Sequence, residues 1–349
     1  MMKYFGGSIL FTVLGLFAAA FVGWEAGQSA QAVASALFIV TILGVLEVSL
    51  SFDNAVVNAT VLADMDEVWR QRFLTWGILI AVFGMRVVFP VVIVAVVGEL
   101  SPWAAVKLAV AAPSEYARIL TEAHISVSAF GGAFLALVGL KHFLDHEKEV
   151  HWIESIEGPL ARLGRVEAVQ IGLVLALIYG VSTQVAAEEQ VEFLVSGIFG
   201  LITYIMVDGV GALMGDAAEH KPDATGVVAR SGLASFLYLE VLDASFSFDG
   251  VIGAFALTTN LAIIAVGLGI GAMFVRSLTI MLVEKGTLTE YRYLEHGAFY
   301  AITALGVIMF CQAFVHIPEV ITGLIGAAFI GVSFWSSVRH NRLEAGSSK

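Results

Sequence analysis

Five acidic side chains lie in stretches of the sequence that are otherwise apolar, and four of them belong to two short motifs that read alike. Residues 47–54 are EVSLSFDN, and residues 243–250 are DASFSFDG. The five acids are Glu47, Asp53, Glu240, Asp243 and Asp249. A carboxylate at the middle of a membrane helix costs about 2.5–3.5 kcal/mol, so such residues usually face a partner or a water-filled path. These residues are therefore the first candidates for chemistry.

The acids outnumber the basic residues that could neutralise them. Arg86 and Arg276 lie in other apolar stretches and are the expected counter-charges. Two arginines cannot balance five carboxylates, and about three negative charges remain if all five are ionised. A divalent cation, or protons, would balance them. The alternative is that the acids only form ion pairs that tie helices together, which accounts for one acid per arginine but not for the surplus.

Helical spacing places the polar residues of each motif along one stripe. At about 100° of rotation per residue, the two stripes are Glu47, Ser51, Asn54 and Asn58, and Glu240, Asp243, Ser247 and Gly250. The second acid of each motif, Asp53 or Asp249, follows its partner by six residues and lies about 120° from the stripe. We therefore expect a kink or an unwound turn at LSLSF and at SFSF, which lets both carboxylates and freed carbonyls converge.

The ligand types favour a hard divalent cation. Carboxylate, amide, hydroxyl and carbonyl oxygens suit Mg²⁺, Ca²⁺ or Mn²⁺, whereas thiolate and imidazole suit zinc and copper. No Cys or His lies near either motif, and the single Cys311 excludes an internal disulfide and a thiolate site. The predicted metal ligands are Glu47, Asp53, Asn54, Asp243 and Asp249, and the predicted supporting residues are Ser51, Asn58, Arg86, Glu240, Ser247 and Arg276.

The elements that position these residues are predicted to be membrane-spanning helices. Of the 349 residues, 58% are hydrophobic and 14% are charged, so the solvent of the folded chain is lipid. Stretches of about 20 apolar residues cross a bilayer as helices. Ten are predicted, at residues 8–25, 34–62, 73–97, 125–144, 168–187, 191–214, 231–258, 261–283, 297–315 and 319–338. The expected fold class is therefore an all-α polytopic membrane protein with about ten transmembrane helices.

Basic residues set the predicted orientation. With the N-terminus in the cytoplasm, fourteen of the eighteen Lys and Arg residues fall on the inside. Both termini are therefore predicted to be cytoplasmic, in a bacterial inner (plasma) membrane. This pattern needs residues 8–25 as a retained span and not as a cleaved signal peptide. The outside stretch 99–124 is apolar but too short to span, and we expect it to lie along the membrane surface.

Matches outside the two motifs indicate an internal repeat. A glycine precedes an arginine by nine residues at 77–86 and again at 267–276. The pattern H-x-x-E-x-I-x-G at 151–158 recurs at 316–323. Because these markers keep the same order in both parts of the chain, they are not explained by composition alone.

The repeat predicts two halves within one transmembrane domain, residues 1–349. The halves are about 8–187 and 191–338, and a cytoplasmic loop is predicted at about 145–166. Each half holds five spans, an odd number, so the halves would insert in opposite orientations. Inverted repeats with a site at the membrane midplane are a recurring transporter architecture.

The motifs resemble the signatures of the TerC family of integral membrane proteins. The first, read from Glu47 to Asn54, matches E-x-x-L-S-x-D-N. The second, which begins at Asp243, is similar to D-x-x-F-A-x-D-S, but has Ser247 in place of Ala and Gly250 in place of Ser. The resemblance also extends from Tyr293-Leu294 to the stretch around 316–318.

This resemblance implies a member of the LysE-like transporter superfamily, whose TerC branch is associated with manganese export and tellurium resistance. It implies that the ion site is formed by the matched acids Glu47, Asp53, Asp243 and Asp249. Gly250 removes one hydroxyl from the pattern, which leaves the choice of metal open. The extra residues between Lys141 and Val241 indicate a divergent branch of the family.

The expected function is secondary transport of Mn²⁺ or a similar hard cation outward, in exchange for protons, without a cofactor or an enzymatic activity. The alternative is a membrane scaffold or partner protein that supports metalation, or metal and tellurium resistance, without transport. An intramembrane aspartyl protease is not expected, because Gly215-Asp216 lacks the preceding glycine of a GxGD segment. No basic patch predicts nucleic-acid binding. The expected partners are the cation, protons and lipid, and the sequence gives no prediction of oligomeric state.

Overall fold

The described residues of the computed structural model are 2–63, 65–145, 148, 150–163, 167–218, 232–315 and 317–347. Every regular element in these residues is a helix, which confirms the predicted all-α class. The helices are α1 Met2–Gly27, α2 Ala30–Leu50, α3 Phe52–Ala63, α4 Glu67–Leu79, a π-helix Ile80–Val88, α5 Phe89–Val97, α6 Pro102–Ala111, α7 Pro113–Glu122, α8 His124–Phe143, α9 Glu154–Leu163, α10 Glu167–Ser182, α11 Gln190–Ala218, α12 Gly232–Leu257, α13 Leu261–Glu284, α14 Thr287–Glu290, α15 Leu294–Gln312 and α16 Glu319–Ser347.

Seven helices of the described residues are long and apolar enough to cross a membrane: α1, α2, α8, α11, α13, α15 and α16. Six of them overlap most of a predicted span, and α2 covers the first part of the predicted span 34–62, which continues into α3. These helices confirm the polytopic membrane class. Large apolar side chains such as Phe17 and Phe21 are exposed on the protein surface, as expected of helices that face lipid.

The other three predicted spans are not single long apolar helices, because they are bent, short or carry acidic residues. Residues 73–97 run through α4, the π-helix and α5, and the last two lead into α6 through a bend of 106°. α10 is only 16 residues long. α12 has 26 residues but carries three acids. The total of ten spans therefore stays a prediction.

The chain divides into two compact units, and each is built from several segments. The first unit comprises Met1–Ala55, Glu67–His124 and Leu239–Met281. The second comprises Val56–Asp66, Ile125–Tyr238 and Leu282–Lys349. The four motif acids, Glu47, Asp53, Asp243 and Asp249, all belong to the first unit. Each unit draws segments from both predicted halves, so the units and the halves divide the chain differently.

In the first unit, α13 packs closely against α2 because two of its residues lack side chains. A Cβ added at Gly267 would lie 2.6 Å from Cβ of Leu43, and one at Gly271 would overlap the side chain of Glu47. Glycines four residues apart let membrane helices approach backbone to backbone. α1 lies on the same helices, and its Ser8 hydroxyl donates to the Met273 carbonyl oxygen at 2.7 Å. This packing holds Glu47 against α13.

In the second unit, α8 and α15 form the buried centre. Gly132 and Gly139 of α8 face α15, at Phe310 and Thr303 respectively. Phe134 of α8 is fully buried and meets the ring of Tyr204 from α11 at 5.6 Å. α16 covers the other side of α15, and the two helices make the most extensive packing contact among the described helices.

Candidate cation site

The first motif contains a break of one residue between two helices, at the place where the sequence predicts a kink or an unwound turn. α2 ends at Leu50, and α3 begins at Phe52. Ser51 lies between them with φ −103° and ψ 20°, and its backbone N–H donates to the carbonyl oxygen of Glu47 at 3.0 Å. The carboxylate of Asp53 accepts the backbone N–H of Asn54 at 3.0 Å. Short polar side chains that bond to nearby backbone compete with a continuous helix, and here they accompany its interruption.

The second motif contains no such interruption, so the prediction of an unwound turn at SFSF is wrong. α12 runs from Gly232 to Leu257 through all of its residues. Ser245 donates to the carbonyl oxygen of Val241 within the helix, at 2.9 Å. The hydroxyl of Ser247 is buried and has no hydrogen-bond partner among the described residues. The hydroxyls of Ser245 and Ser247 therefore do not interrupt the helix.

Arg86 joins one acid from each motif. Its Nη2 donates a hydrogen bond to Oε1 of Glu47, and its Nη1 lies 3.7 Å from Oδ2 of Asp243. The exposed fraction is 5% for Glu47 and 4% for Arg86. Ser51 adds a hydrogen bond to the same Glu47 oxygen at 3.3 Å. Two carboxylates that are almost 200 residues apart in the chain thus share one buried guanidinium within the first unit.

A π-helix carries Arg86. The nine residues Ile80–Val88 follow α4 and precede α5 without a break, and the N–H of Phe89 donates to the carbonyl oxygen of Gly84, five residues earlier. π-helical turns are rare and occur frequently at functional sites. No residue pattern in the sequence indicated this element.

Arg276 and Glu240 are arranged differently. Nη1 of Arg276 donates to the carbonyl oxygen of Phe73 at 3.0 Å. Among the described residues, no carboxylate lies within ion-pair distance of Arg276, and its Nε and Nη2 have no hydrogen-bond partner. Glu240 attracts it from farther away, and Oε1 of Glu240 is also without a hydrogen bond. Among the described residues, Arg86 therefore acts as a close counter-charge and Arg276 does not.

The remaining predicted site residues take several positions. Asp53 and Asn54 are buried in the first unit, at 9% and 6% exposed. Asn58 is buried as well but belongs to the second unit. Asp249 lies in α12, and its side chain is outside the described part of the structure.

Gly250 brings the α12 backbone against Glu47. A Cβ at this position would lie 3.3 Å from Oε2 of Glu47, which is closer than ordinary van der Waals contact. The departure from the TerC pattern at this position therefore has a local consequence, because any side chain here would press on the Glu47 carboxylate.

The described residues do not form a complete metal site in this arrangement. No group of three or more His, Cys, Asp or Glu side chains among them is placed to hold one ion. Glu47 and Asp243 are instead held by Arg86, which leaves one formal negative charge on the three groups. Oδ2 of Asp243 still lacks a hydrogen-bond partner among the described residues.

A second charged cluster, in the second unit, was missed by the sequence reading. Glu157 of α9 is 1% exposed and accepts hydrogen bonds from Nζ of Lys148 at 3.0 Å and from the backbone N–H of Ile153 at 3.2 Å. His151 and His296 lie 3.7 and 3.5 Å from the same carboxylate. The sequence predicts residues 145–166 only as a cytoplasmic loop. Its apolar pair Trp152-Ile153 is the signal that part of the loop is buried.

Burial alone would raise the pKa of Glu157. The hydrogen bond and the charge of Lys148, followed by the Ile153 N–H, outweigh burial, so the pKa lies below its ordinary value. Burial lowers the pKa of Lys148, and Glu157 offsets part of that effect. The pair is a buried ionic contact that fixes the segment before α9.

Comparison with known proteins assigns the chain to a family. A family model described as "Protein of unknown function (DUF475)" matches residues 52–344. The chain belongs to the DUF475 family. The DUF475 match begins just after Ser51, so it contains Asp53, Arg86 and the whole second motif but not Glu47. No curated protein matches the sequence. No solved structure matches it either.

Proposed function

We propose that this protein is a membrane transporter of a hard divalent cation, with Mn²⁺ as the leading candidate substrate. One observation supports the proposal above the others: Arg86 contacts Glu47 and Asp243, so that carboxylates from the two repeated motifs meet at one buried place. Desolvated carboxylates are costly in a membrane and mark ion pathways in transporters. The exporting direction follows from the resemblance of the motifs to the TerC family, of which this chain would be a divergent branch.

The chemistry of the acids sets the substrate class. The oxygens near Arg86 come from carboxylates and from the Ser51 hydroxyl, and hard cations prefer such oxygens. Carboxylates also bind protons, so the same groups can alternate between a metal-bound and a protonated state. We therefore propose exchange of the cation for protons, and no enzymatic step.

A second function has an observation in its favour. The described residues contain no group of three ligands ready to hold a metal, and Arg86 partly neutralises the two acids that do meet. A scaffold that supports metalation or metal resistance in other proteins would need only this structural ion pair. Measured transport separates the two functions.

The proposal is tested by the total metal content of cells. Wild type and the double variant Asp53→Asn/Asp243→Asn are expressed under manganese load, and each element is measured by mass spectrometry. We expect wild type to lower cellular manganese selectively and the double variant not to. Each loss of about 1.4 kcal/mol of transition-state stabilisation slows transport tenfold, and the double variant loses two carboxylates.

Glu188→Gln is the matched control, because Glu188 is an exposed acid in a turn outside both motifs. It should lower manganese as wild type does. Equal metal contents in all strains, with all variants present in the membrane, would contradict transport and favour the scaffold function.

A further inference from the structure

The positively charged side chain of Arg86 contacts both Glu47 and Asp243. We propose that the Arg86 guanidinium is a tethered competitor of the transported ion, and that it determines which ions enter. This inference rests on the proposed function and deepens it. Arg86 is thereby assigned a role in specificity, beyond that of a structural counter-charge.

The contacts of Arg86 are those that a bound cation would make. Nη2 donates to Glu47 and Nη1 faces Oδ2 of Asp243 at 3.7 Å, so one planar group reaches both acids. The two contacts are unequal, since the one to Asp243 is longer than a hydrogen bond and leaves Oδ2 without one. Asp243 is also the more exposed, with 15% of its side chain accessible against 6% for Glu47. An arriving ion therefore meets Asp243 first and reaches Glu47 when Arg86 withdraws.

The charge balance explains how Arg86 selects the ion. Glu47, Asp243 and Arg86 together carry one formal negative charge. A divalent cation that replaces Arg86 brings the two carboxylates to neutrality, whereas a monovalent cation reproduces the balance that already exists. Displacement of Arg86 takes its buried charge away from both acids, which costs several kcal/mol. A monovalent ion, which carries the same charge as Arg86, gains no extra attraction to offset that cost. Arg86 thus excludes Na⁺ and K⁺ while it admits divalent ions.

The π-helix supplies a way for Arg86 to leave. Residues 80–88 are held by hydrogen bonds to the fifth residue before, as between Phe89 and Gly84, and they lie between two regular α-helices. A change of this stretch to ordinary helical hydrogen bonds turns its side chains about the helix axis relative to α5. Arg86 is near the end of the stretch and would turn with it, away from Glu47.

Competition by Arg86 weakens binding of the ion, which also favours its release. A transported ion must bind well enough to enter and weakly enough to leave. The inference therefore predicts that weakening the hold of Arg86 raises the affinity for Mn²⁺. A merely structural role predicts the reverse, because loss of a structural ion pair disturbs the site.

The test is Mn²⁺ binding by isothermal titration of the full chain in detergent, for wild type, Arg86→Lys, Arg86→Gln and a control. Lysine keeps the charge but has a single ammonium instead of a planar group that reaches two carboxylates. It should therefore bind Glu47 and Asp243 more weakly than Arg86 does. We expect Arg86→Lys to bind Mn²⁺ about tenfold more tightly, which corresponds to ~1.4 kcal/mol. Arg86→Gln, where it folds, should bind more tightly still. Excess NaCl should weaken Mn²⁺ binding more in both variants than in wild type.

Arg118→Lys is the control, because Arg118 also contacts two acids, Glu115 and Glu122, but on the exposed surface of α7. Its affinity should equal that of wild type. A wild type that binds Mn²⁺ while Arg86→Lys binds no more tightly would overturn the inference and leave the proposed function standing. Absence of binding to every variant would overturn both. If Arg86→Gln does not fold, Arg86→Lys decides alone.

Discussion

Glu47 is a buried carboxylate in a helix that is apolar enough to cross a membrane, and four neighbours make its position possible. Arg86 and Ser51 both donate hydrogen bonds to its Oε1. Gly250 and Gly271 leave the space that its carboxylate and its stem occupy. Because each neighbour comes from a different stretch of the sequence, the site depends on the packing of α2, α12, α13 and the π-helix together.

At the same scale, Glu157 should be the acid on which the second unit depends most. Glu157→Gln removes the charge that holds Lys148 and weakens the bonds to the backbone before α9. Breaking a buried ion pair costs about 3 kcal/mol or more, so we expect a clearly lower melting temperature in detergent. Glu154→Gln, an exposed acid in the first turn of the same helix, should cost less than about 1 kcal/mol. Similar melting of the two variants would show that the Glu157 contacts are energetically unimportant.

The same pair gives a pH dependence with a defined sign. The pKa of Glu157 in the folded protein lies below its ordinary value of 4.5, so its stabilisation is present above that value. It is lost as the pH falls through the lower, folded pKa. The difference in melting temperature between wild type and Glu157→Gln should therefore shrink as the pH falls below about 4.5. A difference that does not shrink in this acidic range would contradict the lowered pKa.

The acids of the site could be found from the sequence, but their partners only in part. An acid in an apolar stretch is conspicuous, and Arg86 was expected to neutralise one. Spacing along a helix says nothing about which helices are neighbours, so the double contact of Arg86 with Glu47 and Asp243 was not predictable. Arg276, which occupies the matching place in the repeat, bonds to the Phe73 carbonyl oxygen instead.

At the scale of the elements, similar motifs adopt different backbones. The helix is interrupted at Ser51 in the first motif and continuous at Ser247 in the second. The sequence suggested the interruption in both, because the local residues are nearly the same. The two serines also differ in their side-chain contacts, since Ser51 bonds to the Glu47 carboxylate one helical turn earlier whereas Ser247 bonds to no described residue.

The contact between α2 and α13 gives a prediction at this scale. Gly271→Ala places a methyl group where the Glu47 side chain lies, and it should destabilise the protein by about 1–3 kcal/mol and displace Glu47 from Arg86. Gly180→Ala in α10 is the matched control, because a Cβ there meets no atom within 4 Å. Thermal unfolding in detergent compares the two. Equal stability of both variants would show that the approach of α13 to Glu47 is not tight.

At the scale of the whole molecule, hydropathy predicted most of the fold. Seven of the ten predicted spans are long apolar helices in the described residues. The stretches that differ are those where polar residues interrupt the apolar pattern, as in α12, or where the helix geometry changes, as between α4 and α5. Window hydropathy averages over such details. The inverted arrangement of the two halves stays a prediction, because the compact units draw on both halves.

The central claim is that acids from both motifs move a hard divalent cation across the membrane. Its most direct test is Mn²⁺ flux into liposomes that contain the purified full chain and a manganese-sensitive dye, with a pH gradient imposed. We expect wild type and Glu188→Gln to transport Mn²⁺, and Asp53→Asn/Asp243→Asn to fall to the rate of empty liposomes. Equal flux through the double variant and wild type, or no flux through a folded wild type with any divalent cation, would contradict the claim.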